Sequence, residues 1–443
     1  MKRWLAVGLS IFVSSALLPL GAWAEGFSWR WGTDLRAHYR DSDLFRFQSP
    51  FPFGAGQIPP GQSAVFIETV DPGQHTEVSL VSLFLEASWA EKATAKVKID
   101  AIDLYDRNPT STDREVDVDE IWFRWGHETP PGFAPETPGW YAKFGKFGKF
   151  ERQEDRHLES YGLAATAFNR FEDAGLETGF DLGRRVYLKA SYTTGNPVFL
   201  RDPNAEAGDN GTSALRQTHP VTERGSGVDI LYDAEIEGFD FDEPEVGLAL
   251  GLRLGEEASH RTAEVQLWGY QRKLADRVEL HGTFYGGDLD LLDGPAAGFG
   301  LPITDDDKRE LGANVWVYWG GLSIFAQYVD QEIAGMARDG YDLEAAWAIE
   351  LPLVWAAGGK QVFPRLQPVV RKSYLDPDFV GGGRFPAASA RWEWDKLDIG
   401  LRVTVVEGLD ITFEQNQNDF ILTSGAERQQ DETLVTVRWL FGR

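Results

Sequence analysis

Apolar and polar residues alternate with a period of two along most of this chain. Ala263, Val265 and Leu267 alternate with Glu264, Gln266 and Trp268, and Leu311, Ala313, Val315, Val317 and Trp319 alternate with Glu310, Asn314 and Tyr318. Leu397, Ile399, Leu401, Val403 and Val405 do the same with Asp398, Arg402 and Thr404. Successive side chains of a β-strand leave opposite faces of the sheet, so each stretch carries one apolar face and one mixed polar face. The pattern predicts strands near 27–40, 78–90, 92–106, 115–126, 139–147, 170–181, 185–194, 226–237, 245–255, 261–272, 276–288, 309–319, 321–332, 340–351, 364–375, 395–406, 409–421 and 432–442, about 18 in all with 16 as the alternative.

The connections sort into two kinds. Tight ones fall at Ala90-Glu91, Leu182-Gly183, Lys273-Leu274, Gly320-Gly321 and Glu407-Gly408, and long ones span 41–77, 148–169, 195–225, 286–308 and 376–394. With an even count of up-and-down strands, the tight connections gather at one end and the long ones at the other. Proline-bearing connections of moderate length, 127–138, 238–244 and 352–363, share the tight end. A β-sandwich also alternates, but this asymmetry belongs to all-β, closed antiparallel transmembrane β-barrels, with short periplasmic turns and long extracellular loops.

Helices offer no competing route through a membrane. After residue 24, the long uncharged run 47–67 contains Pro50, Pro52, Pro59 and Pro60. The run 345–359 is shorter than a spanning helix and carries Glu350 and Pro352. A closed sheet satisfies every backbone group internally and is the other way across. Trp29, Trp31, Trp89, Trp122, Trp125, Trp140, Trp268, Trp319, Trp347, Trp392, Trp394 and Trp439 fall near predicted strand ends, where interfacial girdles place amphipathic rings. At the N-terminus, Lys2 and Arg3 precede the apolar stretch Leu5 to Leu18, then Pro19 and Ala22-Trp23-Ala24. This is the layout of a secretory signal peptide over 1–24, leaving 25–443 as the barrel.

Composition removes whole classes of chemistry. There are no cysteines, hence no thiolate ligands or nucleophiles, and a closed barrel does not depend on disulfides. A formal charge of −26 argues against nucleic acid as a partner. The 7 histidines form neither a zinc-protease motif nor part of a nucleophile elbow, so the chain reads as no enzyme, with no cofactor. Asp305-Asp306-Asp307 and the pair Asp376 and Asp378 lack the spaced ligands of a calcium loop and read as solvated surface, so no metal is expected.

The stretch Trp140-Tyr-Ala-Lys-Phe-Gly-Lys-Phe-Gly-Lys-Phe, followed by a charged loop and Asn169-Arg-Phe-Glu-Asp-Ala-Gly-Leu-Glu, resembles the corresponding region of Gram-negative outer-membrane porins. It is most similar to the phosphate-selective porin O/P type, and more distantly to the alginate export barrels. The final stretch Leu434-Val-Thr-Val-Arg-Trp-Leu-Phe441 resembles the aromatic-rich last strand of such barrels, here followed by Gly442-Arg443. The resemblance implies a porin of the outer membrane, in contact with lipid and lipopolysaccharide and compatible with a homotrimer. Its solutes would be small and hydrophilic, anions such as phosphate or short acidic sugars among them. The alternative it implies is an exporter of an anionic polysaccharide.

The apolar parity also predicts the inner wall. Arg30, Arg36, His38 and Arg40 on the first strand, Arg438 on the last, Arg402, and Arg365 with Arg371 form a basic arc interrupted by Glu414. Asp342 and Glu344, with Glu350, stand beside it, and Glu310 and Glu264 lie farther round. Opposed charges across a pore orient charged solutes, and arginine's planar fork suits carboxylates. The loop 148–169 holds Lys149, Glu151, Arg152, Glu154, Asp155, Arg156, His157 and Glu159, and is expected to fold inward as a constriction, with Lys149, Arg152, Arg156 and His157 as its cationic groups.

Overall fold

In the computed structural model, the alternating stretches form strands that close on themselves. The structure describes residues 26–43, 46–48, 66–68, 73–90, 92–103, 116–153, 156–168, 172–195, 198–201, 230–233, 241, 243–256, 261–274, 277–280, 286–288, 303–351, 355–357, 360–379, 393–421 and 425–442. The signal-peptide expectation and Trp392 lie outside them.

The wall consists of β1 (Phe27–Ser42), β2 (Gly73–Trp89), β3 (Ala93–Asp103), β4 (Asp117–Gly126), β5 (Trp140–Gly148), β6 (Glu172–Asp181), β7 (Val186–Thr193) and β8 (Glu245–Glu256). It continues through β9 (Arg261–Lys273), β10 (Asp307–Trp319), β11 (Leu322–Ile333), β12 (Met336–Trp347), β13 (Arg365–Asp378), β14 (Glu393–Val406), β15 (Leu409–Ile421) and β16 (Glu427–Gly442). Ile349–Glu350 prolongs β12 along β13. Every strand pairs antiparallel with its neighbour in this order, and β1 pairs with both β2 and β16, which closes a 16-strand barrel. Closure removes the free edges that would otherwise recruit other chains.

Sixteen replaces eighteen for an identifiable reason. The stretches predicted at 226–237 and 276–288 contain short strands, Ile230–Asp233 and Arg277–Leu280, that pair with each other outside the wall. Val198–Arg201 and Gly286–Asp288 complete this separate four-stranded sheet. Losing two strands on either side of β8 and β9 keeps the count even but reverses the direction of that hairpin. Lys273-Leu274 therefore begins a long connection rather than a short turn, and Glu243-Pro244, the described end of the stretch 238–244, leads into β8 from the opposite rim. The other tight connections keep their end; Gly320, at φ +60°, and Gly408, at φ +83°, supply left-handed backbone that glycine adopts without strain.

The outer surface is apolar. Leu83, Phe144, Leu248, Leu311, Ile399 and Phe413 are exposed on outward parity, a belt that only a lipid environment tolerates over such an extent. Trp29, Trp31, Trp125, Trp140, Trp319, Trp347 and Trp439 are exposed and lie at the short-turn rim, where an interfacial girdle places amphipathic rings. Trp268 and Trp394 do not join it: both are buried and face inward.

Candidate functional site

The chain leaving β5 turns into the barrel. A segment that belongs to no sheet must still satisfy its backbone groups, and here the wall's side chains do so. Glu344 of β12 accepts the amide of His157 at 3.1 Å, Glu414 of β15 accepts those of Glu159 and Ser160 at 2.6 and 3.2 Å, and Asp342 accepts that of Ala164 at 3.2 Å. Donors meet the carbonyls in turn. Asn314 and Gln327 reach Glu151 at 2.6 and 2.9 Å, Arg371 reaches Ser160 at 2.8 Å, Lys396 reaches Tyr161 at 2.7 Å and Arg338 reaches Ala167 at 2.7 Å. These partners come from six successive strands, β10 to β15.

Apolar packing holds the same segment. Its short helix α1 (Leu163–Ala167) and the flanking Phe150 and Phe168 pack on inward-facing Trp268, Tyr270, Leu375, Trp394 and Phe420. Phe150 stacks on Tyr270 with ring centroids 5.2 Å apart. Leu158 sits on Ala346 and Val369. The large side chains among them, Phe150, Leu158, Leu163 and Phe168, each contribute about 1.5–3 kcal/mol on burial. Two wall glycines make the fit: a Cβ at Gly400 would lie 2.4 Å from Leu158, and one at Gly340 would lie 3.0 Å from Phe168. Trp268 and Trp394 are thus the bed of the inserted segment.

Charge completes the docking. Glu159 is buried between Arg36, at 2.7 Å, and Arg402, at 3.1 Å. Burial alone would raise its carboxyl, but Arg36, Arg402, Arg438 and Arg156 hold it below the ordinary carboxylate range. Arg36 and Arg438 stand directly opposite each other across the β1–β16 ladder, where like charges repel. Asp34 bridges them, at 2.8 Å from each. Arg371 is held by Asp398, at 2.9 and 2.7 Å, and its other arm meets Ser160. His157 Nδ1 lies 2.8 Å from Glu344.

The residues singled out from sequence therefore divide. Arg36, Arg402 and Arg438 gather at Glu159 and Asp34, while Arg371, Asp342 and Glu344 gather beneath residues 157–164. Arg40 is buried with Glu77, at 2.5 Å, and His38, at 3.2 Å. Arg30 is exposed near the short-turn rim with Glu86, at 2.9 Å. Arg365 is half-buried at the start of β13, opposite Thr404. In the inserted segment, Lys149 is buried with Glu245 and Asp173 and lies 4.2 Å above the Tyr270 ring. Arg152 pairs with Glu172, and Arg156 lies 3.6 Å above the Tyr161 ring.

A second cationic set lies outside the arc that the sequence pattern marks. On β3 to β7, Lys96 meets Glu120 at 2.8 Å, Lys98 meets Asp119 at 2.5 Å, and Arg124, Lys143 and Lys189 surround Glu128. The signal was present, since Lys143 lies in the Lys-Phe-Gly repeat and Lys96 and Lys98 share one parity. These strands carry carboxylates beside the cations, so composition alone does not mark them as basic. Glu128 belongs to the connection 127–139, which also turns inward: the Gly132 amide donates to Glu264 at 2.7 Å.

No family model matches the chain, and no curated protein matches it. Solved structures do. The chain is similar to the outer-membrane channel DcaP of Acinetobacter baumannii, with 11% identity and a TM-score of 0.52 over 94% of this chain and 98% of that one. It is similar to OprB of Pseudomonas putida in its high-pH structure, with 9% identity and a TM-score of 0.53 over 94% of each chain. At such identities the likeness is one of fold. The apolar outer belt and the closed 16-strand wall give the chain the β-barrel fold of the outer-membrane channels it is similar to.

Proposed function

We propose that the chain is a passive channel for small hydrophilic solutes, with a preference for anions. The observation that carries the reading is an unequal distribution of water along the inner wall. Charged groups on β10 to β15 are buried beneath the inserted segment, Glu344, Arg371, Asp398 and Glu414 among them. On β16 and β1 to β4, where Arg40, Asp100 and Glu432 are also buried, six others stay partly open: Arg438, Arg36, Glu77, Lys96, Lys98 and Arg124 keep between 13% and 27% of their side-chain surface. Solutes then pass beside the inserted segment along that arc, and the segment acts as the constriction. Its seating across the interior favours small solutes over an anionic polymer, the export alternative. The apolar belt faces lipid and lipopolysaccharide, and part of it serves a homotrimer interface in this reading.

Selectivity follows from proximity. In a narrow, low-dielectric passage the lining charges outweigh distant ones, which salt screens over about 8–10 Å. The lining groups of the arc, cations balanced by carboxylates, therefore count for more than the overall −26. Purified protein in planar bilayers should give discrete conductance steps, with a reversal potential in a salt gradient less cation-selective than that charge suggests. Replacing Lys96 and Lys98 together by Gln should move the reversal potential towards cations. Folded protein that gives no steps would overturn the channel reading, and an unmoved potential would overturn the path.

A further inference from the structure

Three cations converge on one carboxylate at the periplasmic side of the proposed path. Glu128 Oε1 lies 3.1 Å from Lys189, and Oε2 lies 3.2 Å from Arg124 and 3.3 Å from Lys143. The cations come from three wall strands, β7, β4 and β5. The carboxylate comes from a connection, and Glu128 keeps 19% of its side-chain surface in contact with water. Arg124 and Lys143 face each other directly across the β4–β5 ladder. Two like charges in register repel, so the wall at this point requires an anion between them.

The cations are held whether or not Glu128 is there. Lys143 Nζ lies 5.0, 5.7 and 6.0 Å from the ring centres of Phe147, Tyr141 and Trp122, and it also meets Glu177 at 3.0 Å. Glu177 in turn accepts from Tyr141 at 2.7 Å. Lys189 lies beside Tyr141 and Tyr187, and Arg124 beside Trp122. Rigid aromatic faces fix cation positions at little entropic cost. With Glu128 withdrawn, three cations would face one wall carboxylate, Glu177, leaving two positive charges to be met.

We propose that Arg124, Lys143 and Lys189 form a carboxylate-binding site in the passage, and that Glu128 is its tethered occupant and sets the channel's charge preference. The occupant seen in place states the chemistry: both oxygens of a carboxylate are used, one by Lys189 and the other by Arg124 and Lys143. Burial would raise the Glu128 carboxyl, yet the three cations hold it well below the ordinary range, so it stays ionised and competes with solute carboxylates. A free carboxylate enters when the 127–139 connection yields, and leaves when Glu128 returns. Such competition keeps the site from trapping its solute, as conduction demands.

This rests on the channel reading, and the two fail differently. Glu128→Ala opens the site, while Glu128→Gln keeps its shape without the charge. Both are measured beside the wild type in planar bilayers, after each has shown the heat-modifiable mobility of a folded barrel. The anion-to-cation permeability ratio should rise about threefold or more in both variants at low salt, as expected for an uncovered charge in a confined passage. Millimolar succinate should then reduce the Glu128→Ala current more strongly than the wild-type current, with Glu128→Gln intermediate. Conducting variants with an unchanged permeability ratio and wild-type sensitivity to succinate would overturn the site while leaving the channel standing. Absence of conductance in all three proteins would overturn the channel.

Discussion

The two halves of the inner wall use the same residue types for different ends. On β10 to β15, arginine and carboxylates are covered and spend their hydrogen bonds on the backbone of residues 151–167. On β16 and β1 to β4, several pair with one another and remain partly wet, Arg438 with Asp34, Lys96 with Glu120 and Lys98 with Asp119. Burial separates the two. A covered ion pair that loses one member leaves an uncompensated charge in a dry site, whereas an exposed pair loses little when broken.

The largest expected effect follows. Arg371 is 1% exposed and makes four hydrogen bonds, two to Asp398 and two to Ser160. Arg371→Ala should cost about 3–5 kcal/mol and release part of the inserted segment. Urea midpoints of the refolded barrel in detergent, with open-channel noise, report both. Arg30→Ala removes a pair whose arginine is 65% exposed, and should cost under about 1 kcal/mol in the same assay. Equal costs would erase the distinction between the halves.

A smaller effect concerns pH. The Glu159 carboxyl is held below its ordinary value near 4.5 by the arginines around it. A depressed carboxylate contributes docking energy that is complete above the unfolded value and is lost as pH falls through the folded value. The part of the docking that Glu159 supplies should therefore stay constant from neutral pH to about 4.5 and be lost only below it, when the proton reaches Glu159, and the difference in open-channel noise between Glu159→Gln and the wild type reports that part. Glu159→Gln should raise the noise at neutral pH and flatten this dependence. A difference between the two proteins that already disappears at pH 6 would contradict the assignment to Glu159.

Much of the wall was legible in the sequence because the strand period is two and lipid demands an apolar face. The inward parity of Arg36, Arg402 and Arg438 follows from that alone. The strand count was less legible: 230–233 and 277–280 have strand-like composition, but pattern does not state whether a strand pairs within the wall or above it. The bed of the inserted segment was illegible for a further reason. Trp268 and Trp394 sit on the polar face of their strands, and a tryptophan at a strand end reads equally as girdle or as core. Only the arrival of Phe150, Leu163 and Phe168 from elsewhere decides between them. Likewise Glu128, in a proline-bearing connection, gains its meaning from Lys143 and Lys189, which lie 15 and 61 positions on.

In the proposed path, water and solute follow β16 and β1 to β4, beside the inserted segment. The chain has no cysteines, so single ones can be introduced cleanly. Glu77→Cys and Lys96→Cys lie on the wet arc, where the native side chains are 27% and 24% exposed, and Ser373→Cys lies beneath the insert, where the native residue is 0% exposed. Conductance in bilayers is followed while a negatively charged, membrane-impermeant thiol reagent is added. Glu77→Cys and Lys96→Cys should be modified promptly with altered current, and Ser373→Cys should stay silent and react only after unfolding. Modification of Ser373→Cys as fast as that of Lys96→Cys, with the same change in current, would place the path on the covered side and contradict the one proposed.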